Sequence, residues 1–202
     1  MKIVGGMLLS LLFQMGNCAM GAPVPPPAQQ IATAILPLPA NLREGAGVRG
    51  FDRNLKLVIL RPSRNGLLCT GLRPDAKEFD VRCYHESFWP LVDRVRELYR
   101  QDLKPDAVKG IIDAEVKSGK LKLPDHPTAG YRMEGPLKAY DAKSNTAGRA
   151  IESWQSIHFP YRTAAEIGLP EEGTVPRTFP YVMESGTFWA HVMIEHDPVP
   201  EK

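Results

Sequence analysis

The chain has 202 residues, 43% of them hydrophobic, with 25 basic against 23 acidic side chains and a formal charge of +2. That is apolar material for one globular domain, and 17 glycines with 19 prolines fall between the shares of folded and disordered chains, which excludes collagen and whole-chain disorder. Near-balanced charge gives no field of the kind nucleic acid requires, and Lys117, Lys120 and Lys122 read as a solvated helix end.

At the amino terminus Lys2 leads into Ile3, Val4, Met7, Leu8, Leu9, Leu11, Leu12 and Phe13, the positive start and short apolar run of an export signal. Gly5, Gly6 and Ser10 interrupt the run, which is shorter than the roughly 18 apolar residues of a membrane helix, so no membrane span is expected. Ala19-Met20-Gly21 places small residues before a cut, giving a signal peptide at 1–21 and an exported protein, periplasmic or extracellular. Asn17 stands where a lipoprotein signal carries a small residue, which argues against a lipid anchor at Cys18. Loss of Cys18 leaves Cys69 and Cys83. An even pair without a Cys-x-x-Cys spacing reads as a structural disulfide in an oxidising compartment.

Residues 22–46 are rich in proline, with Pro23-Val24-Pro25-Pro26-Pro27 favouring a polyproline conformation, and read as an extended tether. Within it, Ile31, Ala34 and Ile35 can form one apolar helical turn. A single α+β domain is expected over 47–202. Its first strand signal is Leu55-Lys56-Leu57-Val58-Ile59-Leu60, followed by the turn pair Asn65-Gly66, after which Leu67-Leu68-Cys69-Thr70 returns as the hairpin partner. Phe79, Val81 and Cys83 alternate with Asp80, Arg82 and Tyr84, so the first three face inward.

Helical spacing takes over at 87–119. Phe88, Leu91, Val92, Val95, Leu98 and Tyr99 form one stripe, with Ser87 as cap and Pro90 tolerated in the first turn. A break at Lys104-Pro105 starts a second helix with Val108, Ile111, Ile112 and Val116 inward and Gly119 as its stop. Further strands are expected at 129–134, 153–159, 178–184 and 188–195. With Ser185-Gly186 as a two-residue turn, Phe179, Tyr181 and Met183 would face Val192, Ala190 and Phe188. The fold class is α+β, a mostly antiparallel sheet covered on one face by a helical hairpin.

No motif assigns an activity. Gly45-Ala46-Gly47-Val48-Arg49-Gly50 matches a dinucleotide fingerprint in letters, but a strand and not a helix follows it, so no cofactor is expected. His85-Glu86 begins a zinc-protease pattern that Trp89 ends, and His191 and His196 fall on opposite faces of a strand. The candidate binding surface is the second face of the last strands, Trp189, His191 and Met193, extended by Trp154 and His158. It points to a non-catalytic binding or envelope-associated module for a small molecule or protein partner. The alternative is a secreted hydrolase, metal-assisted through His191 or His158. Replacing both Cys69 and Cys83 with serine should cost roughly 3 kcal/mol by the loop-closure entropy of the unfolded chain. Thermal melts of the parent and double variant measure this, and equal melting temperatures would mean the thiols are unlinked.

Overall fold

The computed structural model describes residues 23–195. The expected signal peptide at 1–21, Cys18 and His196 lie outside the described residues. Eight strands make one sheet: β1 (Gly47–Phe51), β2 (Leu57–Arg61), β3 (Leu67–Thr70), β4 (Glu78–His85), β5 (Thr128–Pro136), β8 (Glu152–His158), β9 (Tyr181–Met183) and β10 (His191–Glu195). A separate two-stranded ladder holds β6 (Tyr140–Asp141) and β7 (Thr146–Ala147). The order across the sheet is β2-β1-β3-β4-β5-β8-β10-β9, and every pairing is antiparallel except β1 with β3. The α+β class and mostly antiparallel sheet are as expected, and no helix among the described residues is long and apolar enough to cross a membrane.

The alternation along β4 organises the interior. Phe79, Val81 and Cys83 are fully buried on one face, and Cys83 sits directly opposite Cys69 of β3, to which it is disulfide-bonded. This face is covered by α1 (Pro27–Ala34) and the chain that follows it, which includes the single turn α2 (Ala40–Arg43), since Ala34, Leu38, Ala46, Val48, Leu67 and the two cysteines pack as one cluster. The proline-rich tether is therefore corrected within the described residues. The proline run at 23–27 ends at the first helical position, where a missing N–H costs nothing, and α1 then runs two turns instead of one. Leu36 and Tyr140 extend the same cover over Phe79.

The opposite face of β4 carries Asp80, Arg82 and Tyr84, and here the helical hairpin packs. It consists of α3 (Trp89–Tyr99) and α4 (Pro105–Lys117). Leu91, Val92, Val95 and Leu98 of α3 meet Val108 and Ile112 of α4 around Tyr84 and Phe88, whereas Tyr99, expected in the stripe, is exposed. Ser87 does not cap α3. A 3-10 turn at Glu86–Phe88 leads into the helix, and the His85 ring accepts from the Ser87 N–H. Gly130 of β5 is needed where it stands, because a Cβ there would lie 2.5 Å from Ser156 Oγ and 2.9 Å from the Tyr84 ring.

Two expected strand pairings are corrected. Leu67–Thr70 is not the hairpin partner of β2, because β1 lies between them. β1 and β2 are joined by the turn at 52–56, where Asp52 Oδ1 accepts from the Asn54 N–H at 2.8 Å and the Lys56 N–H at 3.0 Å, a turn signal carried by aspartate without glycine. At the other end, His191 pairs with Met183 and Val192 with Val182. That register slips by an odd number of residues from a two-residue turn and exchanges the faces. Glu184 and Gly186 both take positive φ and Phe188–Ala190 belong to the connection, so Trp189 is not a strand residue.

A small fifth helix, α5 (Ala164–Ile167), has a capping box between Thr163 and Glu166 and packs Ala164 against Val182 and Val192. Leu38→Ala should cost about 2–5 kcal/mol, the usual range for a truncated core leucine, where a true tether would tolerate the change. Urea unfolding of this variant measures it; a loss below about 0.5 kcal/mol would put residues 27–46 outside the core.

Candidate functional site

The five residues read from sequence as a surface do not form one. β8 and β10 pair with His158 opposite His191, Ser156 opposite Met193 and Trp154 opposite Glu195. The two imidazoles stack with centroids 5.0 Å apart, and Phe88 lies 4.2 Å from the His158 ring, with Trp189 at 5.7 Å. His158, His191 and Met193 are buried, Trp189 is half-buried, and Trp154 lies apart, with the Arg132 guanidinium 5.3 Å from its ring. The expected aromatic and histidine surface is thus largely interior, because the 3-10 turn and start of α3 roof it. His85 does not join the cluster; it hydrogen-bonds Ser87 and lies 5.5 Å from His126.

Within this seam, Ser156 Oγ is 3.0 Å from His158 Nε2, while His158 Nδ1 has no hydrogen-bond partner. His191 Nδ1 donates to the Trp189 carbonyl at 2.7 Å. No carboxylate hydrogen-bonds either ring among the described residues, and no group of three or more His, Cys, Asp or Glu there is placed to hold a metal ion. Burial holds His158 well below the usual imidazole range, with His191 adding to the effect. Burial also lowers His191, against weaker opposing pulls from the Trp189 carbonyl, Glu184 and Glu172. Both rings are neutral near pH 7.

A different feature is open to solvent. A cleft of about 1140 Å³ lies between the carboxyl end of α3 and the sheet, bordered by the start of β2, the ends of β1 and β3 and the start of β4. Lys56, Lys77, Arg96 and Arg100 line it, and none of these four makes an ion pair or side-chain hydrogen bond among the described residues. The acids on its wall are Glu78 and Asp80. Asp80 is already shared: Arg82 grips it through both Nε and Nη2, and Arg132 Nε donates to it at 3.1 Å. Nearby, Arg49 is held by Asp93 at 2.6 and 3.0 Å and stacks over the Trp89 ring at 3.8 Å.

Arg96 is the exception in this arginine group. It is half-buried beside paired guanidiniums and makes no hydrogen bond or ion pair among the described residues, lying over the Trp89 ring with the centroid 5.8 Å away. Burial and the repulsion of Arg82 hold it down to about 10, with Asp80 opposing and Arg49 adding further repulsion. It remains a cation at neutral pH, and a costly one. An incoming anion is the partner that the arrangement is short of. Phe51, Leu57 and Tyr99 supply apolar walls around this basic floor.

Sequence reasoning did not find this cleft. Its cations come from the turn before β2, the loop before β4 and the last turns of α3, and no local spacing links them. The chain matches no protein-family profile, no curated protein and no solved structure, so the chemistry of the cleft itself carries the functional reading. The histidine seam makes a separate prediction about stability. Folded-state pKa values depressed below 6.5 mean that the unfolded chain binds protons first, so stability is full above about pH 6.5 and falls as pH drops below it. Urea unfolding at pH 7 and pH 5 should show the loss, and replacing both histidines with phenylalanine should reduce it.

Proposed function

We propose that this protein is a non-catalytic binding module that takes up an anionic ligand with an apolar body in the cleft between α3 and the sheet. The observation that carries the reading is Arg96, a half-buried guanidinium placed with three further cations on one concave surface, none of the four having an acidic partner among the described residues. A carboxylate, sulfate or phosphate group seated there would supply charge-assisted hydrogen bonds worth about 1.5–3 kcal/mol each. Leu57, Tyr99 and Phe51 would hold the apolar part of the same molecule. This moves the binding role from Trp189 and His191 to the other end of the same sheet face.

The module works outside the cytosol in this reading. Two features support it: the positive and apolar run ahead of Ala19-Met20-Gly21, and a buried disulfide between Cys69 and Cys83. The hydrolase alternative draws on the Ser156–His158 contact alone. It is the weaker reading, since a base roofed by Phe88 and Trp189 and lacking a carboxylate partner is poorly placed to meet a substrate.

Decanoate is a suitable probe, with decanol as its uncharged counterpart. Calorimetric titration should show decanoate binding that decanol does not reproduce, and Arg96→Ala should weaken it at least tenfold, about 1.4 kcal/mol. Arg64→Ala, which touches only the exposed pair with Glu44, should leave it unchanged. Equal binding by the parent and Arg96→Ala would remove the cleft as the site.

A further inference from the structure

The sheet has two edges, and among the described residues only one is hydrogen-bonded to a covering loop. On the outer side of β9, the Val182 N–H donates to the Pro170 carbonyl at 2.8 Å and the Val182 carbonyl accepts from the Glu172 N–H at 3.1 Å, so a loop covers that edge. β2 closes the other end of the order with β1 as its single neighbour among the described residues. Leu57, Val58 and Ile59 are 37%, 37% and 60% exposed, and the stretch 57–60 holds no charge, proline or glycine. Native sheets normally blunt such an edge with charge, proline or a bulge, because its unpaired N–H and C=O groups template another strand; the one register shift of the β1–β2 ladder falls at Leu60 and leaves Leu57–Ile59 in regular pairing.

The outward groups can be named. Gln30 takes both the N–H and the carbonyl of Phe51, at 2.7 and 3.0 Å, and the Arg49 carbonyl accepts from the Gly71 N–H at 2.8 Å. Phe51 and Arg49 therefore turn their backbone groups away from β2. Their partners across the antiparallel ladder are Leu57 and Ile59, which by the alternation of that ladder turn theirs the other way, toward the free edge. The edge thus offers two donors and two acceptors at the spacing of an antiparallel or parallel strand.

Charge selects the occupant. Arg53 and Lys56, beside the start of β2, have no acidic partner among the described residues. Asp52 is committed to the backbone of its own turn, and the Arg61 side chain is committed to the carbonyls of Ala46 and Arg43 at 2.8 and 2.7 Å. A second copy of this chain would bring the same cations to the same edge. We infer that the free edge of β2 is a strand-addition site for an extended, acidic segment of a partner protein, which pairs with Leu57 and Ile59 while its carboxylates meet Arg53 and Lys56. This goes beyond the cleft reading: Lys56 and Leu57 border both places, but the edge binds through the backbone of Leu57 and Ile59 and does not use Arg96.

The test uses the full chain and an acetylated, amidated Glu-Val-Glu-Val-Glu-Val peptide, followed by amide hydrogen exchange and by titration. The peptide should slow exchange at the Leu57 and Ile59 amides, and the corresponding Lys-Val peptide should bind at least tenfold more weakly. Ile59→Pro removes an outward donor that β1 does not use, so it should cost at least tenfold in peptide affinity. Ile59→Glu keeps the donor but sets a like charge against the peptide, and it should weaken binding even if the proline variant folds poorly. Arg96→Ala should leave the exchange protection intact while losing decanoate, which separates failure of this site from failure of the cleft. Unchanged exchange at both amides, or sedimentation showing a dimer that Ile59→Glu dissolves, would overturn the inference.

Discussion

A strand that buries both of its faces needs two covers, and β4 is that strand. Phe79, Val81 and Cys83 point one way and Tyr84 the other, all of them buried, so the sheet is stable only between two layers. The first layer is α1 with the chain through Leu38, and the second is the α3–α4 hairpin. The disulfide lies under the first layer and links β4 to β3, so the crosslink and α1 stabilise the same part of the sheet.

The cleft follows from where the second cover ends. The hairpin packs on the Tyr84 end of β4, over Leu68 and Phe88, and the last turns of α3 stand over Asp80 and Arg82. Polar residues on the inward face of a strand are tolerated there because Asp80, Arg82 and Arg132 satisfy one another. The balance is incomplete at Arg96, which adds a cation without an acid. A protein that needed only stability would be served better by an apolar side chain at that position. Under the proposed function, the unmatched charge is the place where stability and ligand binding would diverge in this fold.

The free edge of β2 belongs to the same end of the molecule. Leu57 contributes both to the cleft wall and to the exposed strand, and Lys56 lies beside both. The proposed anionic ligand in the cleft and the proposed acidic strand on the edge would draw on neighbouring cations, which would make this end of the sheet the working end. The histidine seam at the opposite end is built from the residues that seemed most reactive in the sequence. Stacked, neutral and roofed by Phe88, His158 and His191 serve packing and set an acid limit on stability.

Whatever depended on local periodicity was legible in the chain. Alternation identified Phe79, Val81 and Cys83 as a buried face, and helical spacing identified Leu91, Val92, Val95 and Leu98. Those inferences hold because a residue's face is decided by its neighbours within two to four positions. What lay beyond was long-range. The insertion of β1 between β2 and β3, the register of β9 against β10 and the docking of α1 on the disulfide are choices among partners far apart in sequence, each with competing local signals such as Asn65-Gly66 or Ser185-Gly186. The cleft is of that kind too: Lys56, Lys77 and Arg96 are ordinary surface cations one at a time, and only packing α3 against the sheet makes them a single electrostatic site.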